Sequence, residues 1–248
     1  MKEWIFLAAH FDDVVLSAGG LVWELVNRGE KVEIWTICAG DLPSGRPLPD
    51  YARMLHIFFE LGEENVPYRR SQEDAASCKV LGARYRRYTV PDCIYRHLPG
   101  TDEPVIKVPD DIKGELEPDE LYLIPPVTDF LRKNLPEEYE LVIPLTIGHH
   151  RDHVLVRKAA EGLGIPLWHY ADYPYIIQEK YDLKEWIPPD AGQISLAVTP
   201  QGLKAWQDGI ACHRSQLVFF WSDESEMCRA IEAYARTGGG NTLWKFQD

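Results

Sequence analysis

The chain has 248 residues, 45% of them hydrophobic, and a formal net charge of −13. That length suits one large α/β domain with a real core, and the acidic balance argues against nucleic acid or an anionic membrane as a partner. No apolar run reaches the roughly 18 residues of a spanning helix, the first residues lead straight into a strand with no signal peptide, and the five cysteines (38, 78, 93, 212 and 228) include no Cys-x-x-Cys pair, so reduced thiols, a cytoplasmic location and no membrane anchor are expected.

In chain order, strands and helices alternate. A first strand is predicted over about 3–9 and a helix over 13–28, then a second strand over 31–38. Residues 40–50, rich in Pro and Gly, read as a mobile loop over the site. Helices follow at about 51–61 and 71–81, and a strand at 84–89. Residues 97–118 are rich in Pro, Asp, Glu and Gly without periodicity and read as a surface insertion. A helix near 121–134 leads to a strand over 141–147 and a helix over 151–162. Further strands are predicted at 167–170 and 193–198. Thr199-Pro200 has the N-cap and N1 pattern of a helix start, with that helix running to about 213. The fold expected is a Rossmann-like, mostly parallel sheet flanked by helices in three layers. It forms a single domain over 1–248, with about 200–248 as a C-terminal cap packing on it.

Two clusters carry the chemistry. Ala8-Ala9-His10-Phe11-Asp12-Asp13 follows the apolar run Trp4–Ala9, and His150-Arg151-Asp152-His153 follows Leu141–Ile147. Both runs read as buried parallel strands. In an open α/β sheet, ligands bind beyond the carboxyl ends of the strands, so the clusters can converge. Imidazole and carboxylate are the donors of a catalytic zinc that keeps one position open for water. Adjacent helical residues do not share a face, so one of Asp12 and Asp13 can bind metal while the other faces substrate. His150 and His153, three apart, share a face if helical, and Asp152 between them can orient an imidazole. Either aspartate could also cap the helix. His149 could be a ligand in a shifted register, though a shaping role suits it better.

These residues resemble the LmbE/PIG-L superfamily of zinc-dependent de-N-acetylases, whose signature is Ala-His-Pro-Asp-Asp with a distant His-x-Asp-His. Gly19-Gly20, Cys38-Ala39-Gly40-Asp41, Arg70-x-x-Glu73-Asp74, Pro91-Asp92 to Arg96, Lys204 and His213-x-Ser215-Gln216 also resemble family motifs. Gly148-His149-His150-x-Asp152-His153 and Asp172-Tyr173-Pro174-Tyr175 resemble one bacterial branch. The resemblance implies that His10, Asp13 and His153 bind one Zn²⁺ per chain, another divalent metal being an alternative. It implies Asp12 as general base, His150 as a protonated general acid or oxyanion stabiliser, and Asp152 tuning His150. The departures are Phe11 for the usual Pro, which loses a fixed φ, and Arg151 where Pro is common.

The implied reaction is hydrolysis of an N-acetyl group from an N-acetylglucosamine-type sugar or glycoconjugate by metal-activated water. A homo-trimer or hexamer is implied by the same resemblance. Arg70, Asp92 and Arg96 could bind substrate hydroxyls or a phosphate, although Arg70 and Glu73 would also suit an ordinary helix ion pair. Tyr173, Tyr175 and Trp168 could stack on a sugar or belong to the core, and Ser215 and Gln216 could serve buried backbone. Three other readings compete. A metallo-β-lactamase-like site needs His where Gly148 stands. A nucleotide-binding Rossmann protein needs a Gly-x-Gly-x-x-Gly that is missing. A non-catalytic or differently specific metal- or sugar-binding member would keep the same residues.

Overall fold

The computed structural model describes residues 2–59, 65–178 and 180–246. Strands β1 (Glu3–Ala8) and β2 (Lys31–Thr36) enclose helix α1 (Asp13–Asn27). Helices α2 (Asp50–Phe58) and α3 (Val66–Leu81) lead to β3 (Arg84–Arg87). Then come α4 (Ile124–Asn134), β4 (Tyr139–Pro144), α5 (Arg151–Glu161), β5 (Leu167–Tyr170), β6 (Gly192–Ser195), α6 (Pro200–Ala211), α7 (Arg214–Leu217), α8 (Glu224–Arg236) and β7 (Thr242–Phe246). Among the described residues these strands form one sheet in the order β3-β2-β1-β4-β5-β7-β6. Pairing is parallel from β3 to β5 and antiparallel at β7 and β6. This is the expected mostly parallel α/β architecture.

The alternation along β1 shows the layers. Trp4, Phe6 and Ala8 pack with α1, α6 and α8 on one face, while Ile5, Leu7 and Ala9 pack with α4 and α5 on the other. A strand buried on both faces reads as a continuous apolar run, which is why β1 and β4 were legible. The chain moves outward from β1 to β2 and β3, then returns to place β4 on the other side of β1. The crevice between β1 and β4 is therefore the topological switch point, where open α/β sheets bind ligands.

Several boundaries differ from expectation. Helix α3 begins at Val66 rather than about 71, because Asn65 caps it by accepting from Tyr68 N at 3.2 Å. The helix expected over 51–61 is Asp50–Phe58, and positions 60 and 61 lie outside the described residues. The strand expected over 141–147 ends at Pro144. Beyond it the backbone turns through positive φ at Thr146, Gly148 and His149. Gly148 is required there, since a Cβ would lie 2.4 Å from the Tyr175 ring.

The segment after residue 200 is more than a cap. Strand β7 lies inside the sheet between β5 and β6, and α6 crosses α1 at the Gly19-Gly20 pair. A Cβ at either glycine would come within 2.5–2.7 Å of the Trp206 indole. Helix α1 departs from helical geometry at Ala18 (φ −146°), and Trp206 Nε1 donates to Val15 O at 2.6 Å there. A glycine pair with an inserted side chain is a recognised cause of a helix kink. Trp206 is fully buried, so Trp206→Ala is expected to cost about 3–5 kcal/mol, read as a lower urea midpoint at unchanged m-value.

Candidate active site

His10, Asp12 and Asp13 occupy the β1–α1 turn, and His150, Asp152 and His153 the start of α5 after β4. Because β1 and β4 are neighbours, the two clusters meet. The ring nitrogens of His10, His150 and His153 include one from each residue within 4.8 Å of the others. His10 Nδ1 lies 3.5 Å from Asp13 Oδ2, and His153 Nε2 lies 3.3 Å from Asp13 Oδ1. Donors about 2.1 Å from a tetrahedral zinc sit roughly 3.4 Å apart, so each of these two histidine–Asp13 contacts has the spacing of neighbouring ligands on a metal ion.

The opposite nitrogen of each imidazole is held by a carboxylate. His153 Nδ1 donates to Asp172 Oδ1 at 2.7 Å, and His10 Nε2 lies 3.1 Å from Asp152 Oδ2. A carboxylate behind a metal-binding histidine fixes its tautomer and raises its basicity. Burial opposes charge on both rings. At His10 the neighbours Asp92 and Asp13 outweigh it and raise the imidazole well above its ordinary value. At His153, Asp13 and Asp172 outweigh it and raise the ring to about 10. Asp13 is itself held well below the usual carboxylate range by His153 and His10, against its own burial. The surplus of carboxylate around these rings is a demand for positive charge that a dication would meet.

Asp152 orients His10 rather than His150. Its carboxylate also accepts from Cys93 N at 2.9 Å and pairs with Arg96 Nη2 at 2.7 Å. Arg96 keeps Asp152 ionised well below its ordinary value, against burial. This corrects the expectation for Arg96. Its guanidinium, 5% exposed, is spent on Asp152 and on Glu120 at 2.8 Å, and it does not line the cavity. Glu120 in turn pairs with Arg151 Nη1 at 2.7 Å, so Arg151 stands at a helix start as the outer end of a buried ion-pair chain.

His150 is oriented by backbone, its Nδ1 accepting from Asp152 N at 3.1 Å. Burial, reinforced by His10 and His153, pushes it well below its ordinary value. A neutral ring with Nδ1 occupied as an acceptor carries its proton on Nε2. A neutral His150 ring, which its burial and neighbours favour, would be a donor from Nε2. Asp12 makes no capping hydrogen bond, and its Oδ1 accepts from Arg70 Nη2 at 3.2 Å. Arg70 Nη1 also lies 3.6 Å from Asp92 Oδ2, and Phe11, in place of the usual Pro, sits with its ring 5.8 Å from the Arg70 guanidinium. The Arg70–Glu73 helix pair does not form, because Glu73 binds Ser215 N and Oγ at 3.1 and 2.6 Å.

A cavity of about 270 Å³ opens over this floor, lined among others by His10, Asp12, Asp13, Arg70, Asp92, His150, His153, Tyr173, Tyr175 and Gln216. Trp168 is elsewhere, packed on Trp4 at 6.0 Å. His149 is exposed against Trp186, its carbonyl accepting from Gly114 N. The 97–118 segment, expected on the surface, contributes Pro109, Ile112 and Lys113 to the cavity wall and buries Ile106 completely. The 40–50 loop does not line the cavity; Leu42 and Leu48 pack on the cluster around Ile94 and Tyr95, and the wall comes from Tyr51 and Leu55 of α2. Asp172, which no role was assigned from sequence, follows β5 directly and so repeats the strand-then-carboxylate signal of the other clusters.

The fold and this site define a metal-dependent hydrolase of the α/β class. The family model described as "PIG-L: GlcNAc-PI de-N-acetylase" matches residues 5–163. A 2′-N-acetylparomamine deacetylase from Niallia circulans is 30% identical, over 74% of this chain and 71% of its own length. A zinc-inhibited form of teicoplanin deacetylase Orf2 superposes with a TM-score of 0.84 at 24% identity, covering 98% of this chain and 97% of its own. The A40926 pseudoaglycone deacetylase Dbv21 gives 0.72 at 23% identity, with 98% and 96% covered. The chain belongs to the PIG-L family, and with it to the amide hydrolases acting on carbon–nitrogen bonds other than peptide bonds. Among the described residues no helix is long and apolar enough to cross a membrane, and no cysteine is in a disulfide.

Asp172→Ala frees the His153 ring and is expected to lower the affinity for a divalent metal ion about 10–100-fold. Competition with a chromogenic chelator measures it, with the melting temperature of the metal-free variant separating this from a folding defect. Unchanged affinity would remove Asp172 from the support of His153.

Proposed function

We propose that this protein is a zinc-dependent deacetylase that removes the N-acetyl group of an N-acetylglucosamine-type sugar or glycoconjugate. The observation that carries this reading is the pair of imidazoles, each backed by a carboxylate, that share Asp13 beside the Arg70-paired carboxylate of Asp12. The N-acetylated group in the family description and in the name of the Niallia relative supports the substrate class. His10, Asp13 and His153 would hold one zinc. When bound there, zinc supplies Lewis acidity and lowers the pKa of a water towards about 7.

The remaining chemistry belongs to the chain. Asp12 takes a proton as water adds to the amide carbonyl, and Arg70, donating to Asp12 Oδ1, holds that carboxylate at the cavity wall. The neutral His150 ring donates from Nε2 to the oxyanion as it develops. Asp12, now protonated, gives the proton to the nitrogen as the carbon–nitrogen bond breaks, leaving acetate and a free amine. Arg70 and Asp92, which line the cavity, would position the sugar, with Tyr173 and Tyr175 as its wall.

About one zinc per chain is expected in wild type, lost in His153→Ala, with acetate released from N-acetylglucosaminides. Asp12→Asn is expected to keep the metal and lose roughly 10²-fold or more in kcat. Metal analysis and an acetate assay on the three proteins test this. Zinc without acetate release from a broad panel would favour a binding role, and no metal after reconstitution would end the hydrolytic reading.

A further inference from the structure

The cavity is small for its outer wall. At about 270 Å³ it falls below the roughly 300–1,000 Å³ of sites that enclose a drug-sized ligand. It takes the reacting sugar and leaves the rest of a larger substrate at its mouth. That mouth is apolar on one side. Helix α2 turns Tyr51 and Leu55 into the cavity, while Met54, Ile57 and Phe58 of the same helix are 41%, 71% and 54% exposed. Opposite them, Phe219 lines the cavity yet is 42% exposed, beside Val218 at 55%. The Phe219 ring lies 6.0 Å from Phe58 and 5.1 Å from Phe59. The apolar surface thus runs unbroken from the cavity wall to the outside.

We propose that this rim holds the aglycone of the substrate, an apolar or aromatic group carried on the N-acetylated sugar. The inference rests on the deacetylase reading and narrows its substrate from any glycoconjugate to one with a greasy aglycone. Contiguous exposed apolar surface marks a binding site rather than ordinary protein surface, and continuity with the cavity says which ligand reaches it. A second copy of the chain suits it less. Five side chains are far fewer than the roughly 20–30 residues a side of a standard interface, and the net charge of −13 opposes an anionic membrane.

The test compares methyl and octyl N-acetyl-β-glucosaminides, the latter below its critical micelle concentration, on zinc-loaded wild type and Ile57→Ser/Phe58→Ser. Burying even two methylenes predicts a KM for the octyl substrate at least about tenfold lower in wild type, with kcat within about twofold. The variant should lose most of that KM ratio. Calorimetric binding of both glycosides to Asp12→Asn reads the same preference without turnover. Octyl preference in binding with no hydrolysis of either substrate would keep the rim and sink the deacetylase reading. Equal affinity for the two glycosides, or a wild-type dimer that the rim variant dissociates, would overturn the proposal.

Discussion

Everything at this site follows from placing carboxylates where there is almost no water. Asp13, Asp92, Asp152 and Asp172 are all under 10% exposed, as are His10 and His153. Removing an unpaired charge from water costs several kcal/mol, and breaking a buried pair costs about 3–5 kcal/mol. The fold can place carboxylates at the ends of β1, β4 and β5 only by giving each a partner. His10 and His153 do this for Asp13, Arg96 and a backbone N–H for Asp152, and Ile147 N with His153 for Asp172.

That requirement explains features otherwise unrelated to catalysis. Arg96 needs Glu120 as well as Asp152, and Glu120 needs Arg151. Arg151 Nε then reaches the carbonyl of Asp111, which ties the 97–118 segment to the start of α5. A stretch with the composition of a surface loop is thereby packed into the cavity wall. Positive φ at Thr146 and His149 has the same origin. A chain leaving a parallel strand must bend sharply to aim His150 and His153 back over the crevice, and strained backbone of this kind persists where the surroundings hold it.

The legible part of the sequence was whatever a local pattern determines. Runs buried on both faces gave β1 and β4, and imidazole beside carboxylate after each run gave six of the residues that meet. What stayed hidden depends on distant pairing. Asp152 lies two residues from His150 in the chain but serves His10, 142 residues away, because an N-terminal helical residue points back toward the neighbouring strand end. Arg96 belonged to a recognisable motif, yet its role turns on Glu120, 24 residues further along the chain and just past the aperiodic stretch 97–118. Strand β7 is five residues with little alternation, and only its pairing with β5 and β6 defines it.

The adjacent aspartates show how little sequence separates support from chemistry. Helix α1 starts at Asp13, whose Oδ2 turns back to accept from His10 N at 2.6 Å. That bond fixes the turn and leaves both Asp13 oxygens among imidazoles. Asp12, one residue earlier and on the other side of the turn, meets none of them. Its partner is Arg70, brought by α3, which lies on the cavity wall together with it. Arg70 holds one oxygen of Asp12, whereas Asp13 has an imidazole beside each of its two oxygens. One peptide unit of rotation in the turn after β1 thus separates, on the proposed mechanism, the carboxylate that would hold a metal from the one that would move a proton.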